Sequence, residues 1–167
     1  MDIKRQPPFP DDLVHALGGL TLQYSSLDTQ IKLLTWRLIN PQIQAIGKIV
    51  TASISMTNLL NLFSSLFKLR TREAPLIDRM SAVVQRIDGL SKERNDIIHA
   101  IWVGRPAGNT ALRGKIASKR RSGLVETASP VHAEDVYSLA SRIEEARQDV
   151  VELEYLITNA SPALRDQ

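Results

Sequence analysis

One short segment, Lys92-Glu93-Arg94-Asn95-Asp96-Ile97-Ile98-His99-Ala100-Ile101-Trp102, collects the side chains best suited to chemistry. Asn95 and His99 are four positions apart, so on a helix they stack on one face, with Trp102 the next residue along it. An imidazole titrates near neutrality and trades protons with a reacting oxygen. A guanidinium holds phosphate oxygens bidentately, and a carboxamide donates to a phosphate or orients a neighbouring group. Together the three suit phosphodiester chemistry without a metal. A structural reading of the same residues pairs Arg94 with Asp88 or Glu93, leaves Asn95 in solvent and packs His99 at the helix end.

The other candidates are weaker. The chain has no cysteine, which removes disulfide scaffolds, Cys-ligated zinc and thiol nucleophiles together. His15 sits beside Leu17 without polar company and reads as an exposed or half-buried helix residue. His132, just before Ala133-Glu134-Asp135, marks the start of a helix; with Glu134 it makes two possible ligands and lacks a third, so no metal and no cofactor is expected.

The elements that must position the segment are legible from periodicity. Leu13, Leu17, Leu20, Tyr24, Leu27, Ile31, Leu34 and Leu38 fall on one stripe of a long helix, begun by Pro10-Asp11-Asp12 and ended by Asn40-Pro41. Gly18-Gly19 is its weak point. A second helix is expected over about 42–70, burying Ile49, Ala52, Met56, Leu59, Phe63 and Leu66. A third starts at Ala74 or Pro75 and runs through Ile77, Met80, Val84, Ile87, Leu90, Ile97, Ile98 and Ile101. Turn residues follow at Gly104, Pro106, Gly108, Asn109 and Gly114, and 115–119 and 124–127 are candidate strands of a hairpin. The last helix, about 133–159, turns Val136, Leu139, Ile143, Val150, Leu153 and Ile157 inward. These features predict an all-α, up-and-down bundle of four long helices in one domain spanning 1–167, with an insert at about 104–131.

The net charge of +3 is too small to diagnose a polyanion partner, but its distribution is uneven. Between Arg105 and Arg121 there are six basic residues and no acid, and Arg113, Lys115, Lys119, Arg120 and Arg121 are candidate RNA contacts. The same charges would also keep a hairpin soluble. Between His132 and Glu154, seven acids face only Arg142 and Arg147, so that face should repel a polyanion. In the apolar stretch 43–67 the only charge is Lys48, yet Thr51, Ser55, Asn58, Asn61 and Ser65 recur every three or four positions as a wet face. No membrane span or membrane partner is expected from that pattern. Met1 to Pro10 has Lys4 and Arg5 but no apolar run, so it does not read as a secretory signal, and a cytoplasmic location is the expectation.

Arg94, four intervening residues and His99, with Asn95 directly after the arginine, resembles the motif of the HEPN ribonuclease superfamily, an Arg followed by four to six residues and a His. The setting is similar as well: a motif near the end of a long helix, Trp102 after it, and a turn-rich insert before a last helix. The resemblance implies a metal-independent endoribonuclease of toxin or defence type, in which the ribose 2′-hydroxyl attacks the adjacent phosphate and a cyclic phosphate is left. It implies His99 as general acid or base, Arg94 as stabiliser of phosphate charge and Asn95 as the residue that positions either the phosphate or His99. It also implies a homodimer sharing the site, and leaves room for an antitoxin or other neutralising protein. Trp102 is a candidate base-stacking residue. Two other readings stay open: a non-catalytic nucleotide-binding or interaction module of the same family, and a structural helical partner docking through the Leu13–Leu38 stripe.

Overall fold

The computed structural model describes residues 9–103, 111–119 and 123–160. Five helices, α1 (Asp11–Ile39), α2 (Gln44–Thr51), α3 (Met56–Arg70), α4 (Ala74–Ile98) and α5 (Ala133–Ala160), are joined by three strands, β1 (Ile101–Val103), β2 (Ala111–Lys119) and β3 (Gly123–Val131), between α4 and α5. The protein is therefore mostly helical, with a small antiparallel sheet in the order β1-β2-β3. The described residues form two compact units: the chain up to Leu22 with Lys92–Ser141, and Gln23–Ser91 with the chain from Arg142 onward.

In the larger unit the core is built from the stripes of four helices. Leu27, Ile31 and Leu34 of α1, Leu59, Phe63 and Phe67 of α3, Met80 and Ile87 of α4, and Ile143, Val150 and Leu153 of α5 are all buried. Phe63 and Phe67, one turn apart, meet edge to face at 5.7 Å. The expected stripes of the first and last helices are thus the faces that pack, and α1 ends where Asn40 stops it. There the Asn40 Oδ1 accepts the Gln42 and Ile43 amides at 2.9 and 3.1 Å, turning the chain before Pro41 can extend the helix.

The second expected helix is two helices. Its break lies at 52–55, where Ser55 is extended and its hydroxyl caps α3 by accepting the Asn58 amide. Upstream, Thr51 is buried and fixed by two bonds: its hydroxyl accepts from the Trp36 indole at 2.7 Å and donates to the Gly47 carbonyl at 2.9 Å. The expected inward set changes accordingly. Ile49 is 77% exposed and Ala52 is exposed, Met56 and Leu66 are half-buried, and Leu60 and Phe67 are buried alongside Leu59 and Phe63.

The acidic face of α5 also differs from expectation. Arg86 of α4 bridges Glu145 and Asp149 at 2.6 and 2.7 Å, Arg79 pairs with Glu152, and Arg37 of α1 pairs with Glu154. Counting charges along α5 alone misses cations supplied by neighbouring helices, so this face is largely neutralised rather than repulsive.

In the smaller unit, Leu13, Ala16 and Leu20 of α1, Ile97 of α4, and Val136 and Leu139 of α5 are buried with Ala111 and Val131 of the sheet. The third expected helix stops at Ile98. Ile101, expected on its inner stripe, opens β1 and is 49% exposed. The expected hairpin is present but longer, and β1 adds a third strand. Its register runs from Ala111 opposite Val131 to Lys119 opposite Gly123 without a bulge. Arg120 and Arg121, and most of the expected turn-rich stretch at 104–110, lie outside the described residues.

Candidate functional site

The last turn of α4 carries the motif. The His99 amide donates to the Asn95 carbonyl at 3.0 Å, so helical bonding continues through residue 99 and Asn95 and His99 occupy successive turns, as their spacing requires. Both are exposed. Arg94 is half-buried with its Nε shielded from solvent, and its Nη1 donates to the Asn95 Oδ1 at 3.1 Å. The carboxamide oxygen accepts one bond from the guanidinium while Asn95 itself stays exposed to solvent.

Trp102 closes the helix end. The Ile97 carbonyl, which has no amide four residues on to satisfy it, accepts both the Ala100 amide at 3.4 Å and the Trp102 indole N–H at 3.2 Å. Phe9 meets the indole edge to face at 6.3 Å. Trp102 is half-buried, a capping residue as well as an aromatic beside the motif.

The sheet brings one of the expected basic residues to the same place. Trp102 is paired directly with Arg113, which in turn is opposite Ser129. Directly opposed residues in an antiparallel pair share a face. Arg113 is half-buried there. Lys115 and Lys119 follow at positions of the same parity along β2, opposite Thr127 and Gly123. The sequence flagged Trp102 and Arg113 separately; their juxtaposition depends on β1, whose three residues carry no turn signal or alternation long enough to announce a strand.

His15 is exposed on α1 and His132 is exposed immediately before α5, as their surroundings suggested. Among the described residues no group of three or more His, Asp or Glu side chains is placed to hold a metal, and no helix is long and apolar enough to cross a membrane. Three described cavities are lined by residues of the larger unit. The first, of about 410 Å³, is lined by Leu34, Arg37, Leu38, Pro41, Glu154, Ile157 and Thr158. The candidate site is a helix end that carries an exposed imidazole, a carboxamide bonded to a guanidinium, and an anchored indole with an arginine across from it. Comparison with protein-family models, with curated proteins and with solved structures finds no match to this chain.

Proposed function

We propose that the protein is a metal-independent endoribonuclease of HEPN type, an up-and-down helical bundle with a sheet insert, working as a toxin or defence nuclease. The observation that carries this reading is the arrangement at the end of α4, where Asn95 holds the Arg94 guanidinium and the His99 imidazole stands exposed one turn on. In the proposed reaction the 2′-oxygen bonds to phosphorus as the bond to the 5′-oxygen breaks. A base removes the 2′-hydroxyl proton, and an acid protonates the leaving 5′-oxygen. His99 serves as one of these, and Arg94 offsets the charge that grows on the phosphoryl oxygens. Arg113, Lys115, Lys119, Arg120 and Arg121 supply backbone contacts to the RNA, and Trp102 offers its indole to a base. The working unit is a homodimer, and a neutralising protein would hold the enzyme in check.

Purified protein and its His99→Ala variant, incubated with mixed RNA in the presence of a chelator, test the reading. Wild type should give fragments ending in 2′,3′-cyclic phosphate, and the variant should lose about 10²–10⁴ in rate with its helical circular dichroism unchanged. Equal cleavage by both proteins, or none by either, would remove His99 from any catalytic role.

A further inference from the structure

The ends of α1 and α5 enclose the cavity of about 410 Å³, and none of its lining belongs to the unit that carries the motif. Leu34, Arg37 and Leu38 of α1, and Glu154, Ile157 and Thr158 of α5, each stand at positions i, i+3 and i+4 of their helix, so each trio forms one wall. Leu34, Leu38 and Ile157 are buried residues, and Pro41 completes an aliphatic lining without an aromatic ring on which a base could stack. The volume falls in the range of small-molecule sites. It matches about a dozen groups of methylene or water size, at about 30 Å³ each.

The polar groups of the lining select the sign of a ligand. Glu154 is already engaged on both oxygens: Oε1 pairs with the Arg37 Nη1, and Oε2 accepts from the Gln30 amide at 2.9 Å. Its side chain is 18% exposed, whereas that of Arg37 is 55% exposed. Among the described residues Arg37 makes no other hydrogen bond or ion pair. Its Nε–Nη2 edge, the fork that meets a carboxylate with two parallel bonds, is therefore open to a ligand. Arg70 adds a second cation where α1 ends, its Nε and Nη2 donating to the Leu38 and Ile39 carbonyls at 3.0 and 3.2 Å and so offsetting the negative end of the helix. Two guanidinia thus stand against one carboxylate at this end of α1.

We propose that this cavity is a binding site for a small aliphatic carboxylate, its chain lying between Leu34, Leu38, Pro41 and Ile157 and its head on the open edge of Arg37. The test is titration of the full chain with decanoate, decanol and decylammonium below their micellar concentrations, followed by the methyl NMR signals of Leu34, Leu38 and Ile157. Decanoate should shift these methyls and bind about tenfold or more tightly than the other two, as expected for a charge-assisted hydrogen-bonded head. Arg37→Gln should lose about tenfold in decanoate affinity and keep the wild-type affinity for decanol. Thr158→Trp places an indole at an exposed position of the lining and should abolish binding of all three with helical circular dichroism unchanged. Should Arg37→Gln lose decanol as well, the ranking of the three ligands on wild type and the Thr158→Trp result decide. No shift with decanoate, shifts confined to other methyls, equal affinity for decanoate and decanol or decylammonium, or undiminished binding by Thr158→Trp overturns the proposal.

Discussion

At the scale of single residues, an ion pair makes the clearest quantitative prediction. Arg147 donates twice to the Glu144 carboxylate, at 2.6 and 2.8 Å, and Gln148 donates to it at 2.8 Å. The hydrogen bonds from Arg147 lower the Glu144 pKa from 4.5 to about 2, against an opposing effect of burial. Because the folded pKa lies below the unfolded one, the stabilisation is complete above pH 4.5 and disappears as the pH falls toward 2. The Glu144 side chain is 34% exposed, so solvent screening reduces its worth to about 0.2–1 kcal/mol. Glu144→Gln should therefore be slightly less stable than wild type in denaturant titrations at pH 7, and equal to it near pH 2. An unchanged difference across that window would show that the pair is not the source. The motif was legible at this same scale because Arg94, Asn95 and His99 lie within six residues of one helix and their relations are set by helical geometry alone. Phe9 against Trp102, and Arg113 across from it, were not legible, since those relations depend on chain segments brought together only by folding.

Among the elements, glycine has opposite meanings in two helices. A Cβ on Gly18 would meet nothing within 4 Å, and α1 runs straight through it and Gly19. Gly18→Ala should raise stability by about 0.5–1 kcal/mol through helix propensity. Gly47→Ala gains the same propensity but drives its methyl into the Trp36 Cβ, Cγ and Cδ1, all within 2.7 Å. Overpacking of this kind costs about 1–3 kcal/mol, so the variant should be less stable on balance. Chemical denaturation of the two variants side by side measures the contrast, and a stabilised Gly47→Ala would mean that Trp36 yields easily. The same contact explains why the 42–70 segment looked like one helix. Its apolar residues keep a helical period across the break, so the pattern supplies no stop signal. What divides it is the capping hydroxyl of Ser55 and the seat of Gly47 and Thr51 on an indole fifteen or fewer residues away, and only the first is readable locally. The long helices α1, α4 and α5 were legible because their stripes are the core itself.

For the whole molecule, the spacing of the motif bears on assembly. Helical bonding persists through His99, so Arg94 and His99, five positions apart, project roughly 140° from one another at about 100° per residue. Their surroundings agree, Arg94 half-buried and His99 exposed. One helix therefore does not present both groups squarely to one phosphate. Two α4 ends related by a twofold axis would bring two imidazoles and two guanidinia to a shared cleft, where a long arginine side chain from either copy can reach the phosphate that the other copy's histidine serves. A shared site makes activity depend on association. Specific activity should fall on dilution in step with loss of dimer by light scattering, and mixing His99→Ala with Arg94→Ala protein should restore part of the cleavage that each lacks alone, since a mixed dimer can assemble one intact pairing. Full activity in a protein that stays monomeric on dilution, with no recovery on mixing, would place the whole site within one chain and require Arg94 to swing round its own helix to meet the phosphate at His99.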